Sequence, residues 1–552
     1  MGKLLLFLGT ATIFSLCLWK NITIPDVLSA TSRQELNTYK AASIIGCAPI
    51  NTESFFDDPP SIPLLKGWGN HKFKISTQSD SAQIYFNQAI NMFYGFHFVE
   101  ARASFKKAQK FDSACAMVYL GEALSYGPTI NNPAYRQRRY VLELLEKARR
   151  HDSRCTPIEK ALIDAQSARY NIDSTEGVQK INEAYANAMK NVYANYSSDA
   201  DAGALYADAL MQLYPWDLYD NRGQPKEWTA TIEGEITKLL KRFPNHPALN
   251  HYYIHCVEAS GTSYRGLPSA QKMSLLTPGI SHMVHMSSHI YVRAGYYNEG
   301  VMANEKARAA YEQYRNAFPD VQRGNIFYYQ HALSMEFANA MLLPEFKKAN
   351  NIAHLKRSFI SAQLASKAAL SMGEQYSYCF PLLSWVRYGK WDSILAEPNL
   401  PEVYIYGRYL QHFAKGMALA RKHKTGEAKI ELQEMENNIT HPDLKAHGLF
   451  QNAPEASAKV ALYILKGVIA EEEARSTDAV SDFTRAVEQE DSMQYNEPMD
   501  WLIPARHYLG EALLNIKQYE KAAMIFNEDL RIHPNNTWSL AGLRNALKKQ
   551  KK

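Results

Sequence analysis

From Ser81 onward, apolar residues recur every three or four positions, the period of helices that bury one stripe and leave the other face polar. That period predicts helices over 115–126, 134–150, 157–170, 175–195, 200–213, 229–242, 248–260, 281–294, 298–316 and 324–343. It continues over 352–372, 377–389, 402–421 and 425–438, and closes with a helix from Thr537 to Lys549. Neither the period-two alternation of a half-buried strand nor a Gly-rich phosphate loop stands out. The intervening segments carry turn chemistry, as in GPTINNP at 127–133, YPWDLYDNRGQP at 214–225 and FPNHP at 243–247. The chain reads as all-α.

Three windows repeat one set of spacings. Ala89, Ala101, Phe105 and Ala108 form the first; Gly467, Ala479, Phe483 and Ala486 the second; Gly510, Ala522, Phe526 and Pro534 the third. Small residues let two helices cross closely, and the aromatic fills the gap between them. These are the offsets of tetratricopeptide (TPR) helical hairpins. The expected architecture is a TPR-like solenoid, a right-handed superhelix in which each hairpin buries its stripe only against its neighbours. We divide the chain into 1–20, a signal peptide or N-terminal anchor; 21–75, an extended lead-in; 76–343, an N-terminal array; and 344–549, a C-terminal array with a capping helix.

Composition narrows the picture a little. The chain has 552 residues, is 46% hydrophobic and 21% charged, and has a net charge of +5, which gives little case for nucleic acid. Lys3 followed by the apolar run Leu4–Trp19 reads as an export signal or short anchor, so the expected location is the periplasm or the cell envelope. Any membrane contact would come through that segment. The six cysteines are scattered rather than arranged as a disulfide framework, with Cys115–Cys155 the one pairing worth considering.

The chemistry concentrates between Asn250 and Arg293. NHYYIHCVEAS carries His251, His255 and Glu258, and SHMVHMSSHIYVRAG carries His282, His285 and His289. At about 100° per residue, each triplet falls on one narrow helical stripe. Thirty-four residues separate His251 from His285, and His255 from His289, so the histidines recur at equivalent repeat positions. Imidazole suits Zn, Cu and Fe. We therefore expect a metal site of His251, His255 and Glu258 facing His282, His285 and His289, with Glu258 placed to bridge two ions. Additional candidates are His331, Met286 as a soft ligand, Tyr253 as a supporting donor and Arg293 as an anion-holding group. Cys256, about 100° off the stripe, reads as packing. His412 reads as a half-buried helical histidine, Trp216 and Asp217 as a structural corner or the lining of a pocket beside the groove, and the EPMDW stretch at 497–501 as a capping loop. The zinc-protease spacing HEXXH is absent, and no Ser or Cys nucleophile stands in a recognisable setting. Whether the protein is an enzyme is left open.

The wording of several segments adds a resemblance. FNQAINMFYGFHFVEARASFKKA, CAMVYLGEALSYGPTINNP, LYPWDLYD, NHYYIHCVEAS, HMVHMSSHIYVRAGYY and EPMDWLIPARHYLGEALL resemble a group of exported bacterial TPR proteins over roughly residues 65–548. The group tends to have Asn after the histidine where this chain has His331-Ala332, and an Asn-His pair near Phe96-His97, so His97 is set aside. The resemblance implies that positions 2, 5, 9 and 12 of each first helix face a concave groove, which puts both triplets there. It supplies no activity. Two functions stand side by side: a His-rich transition-metal site in the groove, or a metal-free scaffold that binds a protein, peptide or small molecule.

Overall fold

The computed structural model describes residues 62–551 apart from 132, 134, 136, 172–176, 319–325, 366–369 and 447–450. The Leu4–Trp19 run, Cys17 and Cys47 lie outside the described residues. The first helices are α1 (Asp80–Tyr94), α2 (Phe98–Phe111), α3 (Ala116–Leu124), α4 (Arg138–Arg150), α5 (Pro157–Asn171) and α6 (Val178–Asn195). They are followed by α7 (Ala200–Met211), α8 (Thr229–Arg242), α9 (Pro247–Val257), α10 (Leu267–Leu276), α11 (Ser281–Ala294), α12 (Tyr297–Ala317) and α13 (Ile326–Met341). The second half holds α14 (Phe346–Ala365), α15 (Met372–Tyr378), α16 (Phe380–Arg387), α17 (Trp391–Leu395), α18 (Ile405–Arg421), α19 (Thr425–Asn438) and α20 (Pro442–Lys445). It ends with α21 (Pro454–Glu472), α22 (Ser476–Asp491), α23 (Ala505–Asn515), α24 (Tyr519–Ile532) and α25 (Thr537–Gln550). The fold is a TPR-like helical solenoid. Among the described residues the only β pairing is an isolated bridge between Tyr219 and Pro225.

The spacings that suggested hairpins do what close crossing requires. Phe105, Phe483 and Phe526 are buried. A Cβ added at Gly467 or Gly510 would stand 2.4 Å from the ring of Phe483 or Phe526 respectively, so only glycine fits beneath those rings. Local caps fix several helix starts. Ser79 accepts from the Ala82 N–H and Asp199 from the Ala202 N–H, while Ser371 and Glu374 close a capping box.

Two expectations need correction, and one helix lies where none was expected. The connector between the two histidine stretches is itself helical, a 3-10 turn at Ser263–Gly266 leading into α10. Pro268 sits in the first turn of α10, where a missing N–H costs nothing, so it starts the helix rather than breaking it. The predicted 377–389 helix is split between α15 and α16 around Cys379. Cys115 and Cys155 are free thiols, both pushed up by burial, to about 11 and about 12. No helix of the described residues is long and apolar enough to cross a membrane.

Two apolar cores run through the solenoid. The first gathers side chains from Ile62 to Phe318, and the second from Val292 to Ala546. They meet in α11 and α12. Ile62, Trp68, Phe73 and Ile75 of the segment before α1 are buried in the first core.

Distant repeats also touch. Tyr328 Oη donates to the Phe96 carbonyl (3.0 Å) and Tyr314 Oη to Glu100 (2.7 Å), joining α12 and α13 to the first hairpin. Tyr297 Oη donates to the Pro534 carbonyl (2.7 Å), and Asn221 donates to the Asp491 carbonyl (3.1 Å). Gly295, in the left-handed region at φ 79°, lies so close to Pro534 that a Cβ there would stand 2.2 Å from its carbonyl oxygen. Gly295→Ala is expected to cost at least about 1–2 kcal/mol from the left-handed backbone alone, read as a lower urea midpoint. An unchanged midpoint would contradict this docking of the C-terminal repeats.

Candidate metal centre

Three helices of neighbouring hairpins supply the site. His251 and His255 lie one turn apart on α9, His282, His285 and His289 on α11, and His331 on α13. All six are buried, between 0% and 7% exposed, and so are Glu258 and Glu497. The structure groups the imidazoles as two trios, His251 with His255 and His282, and His285 with His289 and His331; within each, one ligand atom per residue lies within 4.8 Å of the others.

The outer nitrogens define the tautomers. His251 Nδ1 faces the Tyr94 carbonyl at 2.7 Å, and His255 Nδ1 faces Glu258 Oε1 at 2.6 Å. Both partners only accept, so both Nδ1 atoms carry the proton and both Nε2 atoms present a bare lone pair. Yet these Nε2 atoms lie 3.1 Å apart, and His282 Nε2 lies 3.1 Å from that of His251. The buried His282 Nδ1 has no hydrogen-bond partner. If His282 gives its one proton to His251, the His251 and His255 lone pairs still oppose each other.

The second trio repeats the arrangement. His285 Nδ1 donates to Asn304 Oδ1 (2.6 Å), whose amide is oriented by Nδ2 donating to the Gly300 carbonyl (2.9 Å). His289 Nδ1 donates to Glu258 Oε2 (2.7 Å) and lies 3.2 Å from Glu497 Oε1. The two Nε2 atoms then meet at 2.7 Å. The His331 ring lies beside them, 4.7 Å from His285 between centroids, with its Nε2 4.0 Å from Glu497. A proton or a metal ion must sit where these lone pairs converge. Ligands of one tetrahedral transition metal at about 2.0–2.1 Å stand roughly 3.3 Å apart, close to the spacings here.

This partition differs from the expected one. Cβ vectors tilt toward the helix N-terminus, and His282, one turn before His285, reaches the α9 pair instead of joining its own helix's pair. Glu258 does not stand among the Nε2 atoms. One of its oxygens holds each trio from behind, a carboxylate shared by two histidines, and Glu258 also falls with His255 and Glu497 in a group whose ligand atoms lie within 4.8 Å of one another. His331 completes the second trio. Met286 lies in the apolar core, and Tyr253 is half-buried on the Glu233 and Arg265 side. Arg293 donates to the Ser260 carbonyl (3.1 Å) and lies 5.8 Å from the Tyr495 ring centroid. His97 packs against Trp68 and Tyr328, and His412 pairs with Glu431, both outside the trios. The stripes expected to line an open groove are walled in.

Several supporting residues escaped the sequence reading. Tyr495 Oη donates to Glu258 Oε2 (3.1 Å), and Glu497 comes from the stretch read as a capping loop. Phe96, at φ 59°, covers the first trio with its centroid 4.5 Å from His251. Trp216, at φ 58°, meets His255 edge-on at 5.6 Å instead of serving only as a corner, while Asp217 pairs with Lys226. Such backbone conformations in large residues need strong surrounding support. Tyr94 is pinned by donating to Asp201 Oδ1 (2.7 Å), which also accepts from His71 (2.7 Å) and lies 3.4 Å from His246. Asp201 thus meets both rings of that group, while the buried His246 Nδ1 has no hydrogen-bond partner.

Burial pulls His251, His282, His285 and His331 well below the usual imidazole range and His255 down to about 3. Burial opposes charge on His289 too, but Glu497 and Glu258 outweigh it and raise that group to about 10. Neutral imidazoles are the ligand-competent form, so the five lowered histidines are ready ligands while His289 would release a proton on binding an ion.

No protein-family model and no curated protein matches the chain. Solved structures of helical-repeat proteins are similar at low identity. A human IFIT1 dimer with m7Gppp-AAAA is 13% identical, with a TM-score of 0.31, over 86% of this chain and 91% of that one. Yeast Tom70 is 12% identical, with a TM-score of 0.27, over 86% and 90%. The APC/C hetero-tetramer Cut9-Hcn1 gives 13%, a TM-score of 0.27, and 86% and 78%. What fold and site define together is a TPR-type helical-repeat protein with two buried tris-histidine clusters.

The titration shifts set a pH dependence. For the five lowered histidines, the unfolded chain takes up protons below about pH 6.5 that the folded state refuses, so stability falls as pH falls. His289 has the opposite sign: its contribution is complete below about pH 6.5 and is lost as pH rises through about 10. The EDTA-treated chain should show a urea midpoint that drops steadily from pH 7 to pH 5. His282→Phe should make that slope shallower by up to about 1.4 kcal/mol per pH unit. A flat profile would contradict neutral burial.

Proposed function

We propose that the protein is a binuclear transition-metal protein. One ion is held by the Nε2 atoms of His251, His255 and His282, and the other by those of His285 and His289 with a ring nitrogen of His331. The observation that carries this reading is the opposition of the His251 and His255 lone pairs, whose Nδ1 protons are already committed to Tyr94 and Glu258; His285 and His289 repeat the layout, with one extra proton on His289 between them. Donors of this kind, with a carboxylate or carbonyl behind the imidazole, are how proteins orient metal-binding histidines. All-nitrogen sets favour zinc or copper over manganese or magnesium. Three protein ligands leave a position for water or substrate, the arrangement of reactive rather than structural sites.

The Lys3 and Leu4–Trp19 pattern and the resemblance to exported bacterial TPR proteins support a location outside the cytoplasm. A second reading, a scaffold for a peptide, rests on a wide groove of about 1310 Å³ lined by Arg222, Arg265 and Arg506 alongside Glu233, Asp491 and Glu528. It is compatible with the first.

Elemental analysis of the purified full chain separates them. Two equivalents of zinc or copper are expected, falling to about one in His251→Ala or His285→Ala and to none in the His255→Ala/His289→Ala double variant. Glu258→Gln should weaken both sites by about 10–100-fold. A chain that binds neither metal more tightly than micromolar would refute the reading.

A further inference from the structure

A third group of metal-competent side chains forms where three separate stretches of chain meet. His71 comes from the segment before α1, Asp201 from the first turn of α7, and His246 from the position just before α9. One ligand atom of each lies within 4.8 Å of the other two, and the two imidazole rings stand 4.4 Å apart between centroids. Both Nε2 atoms converge on one oxygen, Asp201 Oδ1, His71 at 2.7 Å and His246 at 3.4 Å, and the Tyr94 hydroxyl donates to that same oxygen at 2.7 Å. Hydrogen bonding alone serves this group badly. It asks one oxygen to accept three protons, and the His246 contact is longer than an ordinary N–H···O bond. That long contact is also the one polar anchor of a buried ring, because His246 Nδ1 has no partner. Asp201 is buried as well, whereas 17% of the His71 side chain is exposed.

An ion accounts for the convergence. Ligands of one transition metal at about 2.0–2.2 Å stand roughly 3.3 Å apart, and the two nitrogens lie 2.7 and 3.4 Å from the carboxylate oxygen. Two imidazoles and one carboxylate are a donor set for zinc(II) or iron(II), with positions left over for water. We propose that His71, Asp201 and His246 form a third metal site, for a divalent first-row transition ion. The Tyr94 hydroxyl orients its carboxylate, the role that outer hydrogen bonds play around metal ligands. The site differs from the two trios in kind. Its donors are mixed nitrogen and oxygen, and its half-buried His71 opens it to solvent, so its ion exchanges and is lost on desalting while the buried trios keep theirs. It also ties the segment before α1 to α7 and α9. It is independent of the binuclear reading, since it shares no ligand with either trio.

The test uses the full chain carrying His255→Ala/His289→Ala, stripped with EDTA and titrated with zinc at neutral pH. One equivalent of zinc is expected to bind, and to be lost on adding His71→Ala or Asp201→Asn. His71→Ala leaves in place the backbone carbonyl that accepts from Asn91 Nδ2 (2.9 Å), and Asp201→Asn keeps an acceptor for Tyr94, so the circular dichroism should not change. Zinc should raise the urea midpoint of the double variant but not of its His71→Ala version, because an ion that binds only the folded chain stabilises it. Should the double variant fail to fold, the same count is made in the parental chain, where His71→Ala is expected to remove one equivalent of added zinc. Equal zinc uptake and equal midpoints with and without His71 would overturn the third site. A chain that loads only the trios refutes the third site alone. A chain whose trios take no metal but which keeps this one equivalent, lost with His71, supports the third site and refutes the binuclear centre.

Discussion

A neutral imidazole has one proton to give. In this protein His251, His255, His285 and His289 give theirs outward, to a backbone carbonyl, a shared carboxylate and an amide. The remaining nitrogens of His251, His255 and His285 are then acceptors only, while His289, held charged by Glu258 and Glu497, keeps a second proton, and the fold presses these nitrogens together at about hydrogen-bond distance away from water. Water cannot relieve the opposition there, and in a low-dielectric interior it is costly. A cation on those nitrogens turns the opposed lone pairs of His251 and His255 into ligands, and in the second trio takes the place of the extra proton of His289. The rest of the site follows from keeping the outer protons where they are.

The repeat makes this possible. A 34-residue step places the α9 and α11 pairs in equivalent positions, and packed neighbouring helices bring their stripes within side-chain reach. Glu258 then meets one histidine of each pair with one carboxylate, coupling the two trios. Tyr495 and Glu497 arrive from the far array and bond to that carboxylate and to His289. The docking of the C-terminal repeats, through Tyr297 and Gly295 against Pro534, therefore also finishes the site. Fold closure and the histidine centre are one structural problem.

The sequence was most legible where geometry is local. Gly467 with Phe483 and Gly510 with Phe526 follow from the fixed distance at which two helices of a hairpin cross. The histidine stripes follow from helical angles. What was not legible depends on where distant chain passes. His282 shares a helix with His285 and His289, and nothing in its spacing says that it reaches back to α9. Glu497 lies in a Pro- and Trp-rich loop that looks like packing, and its role appears only when that loop crosses to α11. Phe96 and Trp216 needed the same long-range view. Helix α10 has no counterpart among the helices expected from the sequence, although Pro268 stands where proline starts a helix.

X-ray absorption at the zinc and copper edges of the protein as isolated tests the central claim most directly. The account predicts an inner sphere with three imidazole nitrogens per ion at about 2.0–2.1 Å, together with the outer-atom scattering typical of histidine rings. A spectrum dominated by carboxylate or thiolate scattering, or no bound metal at either edge, would contradict it.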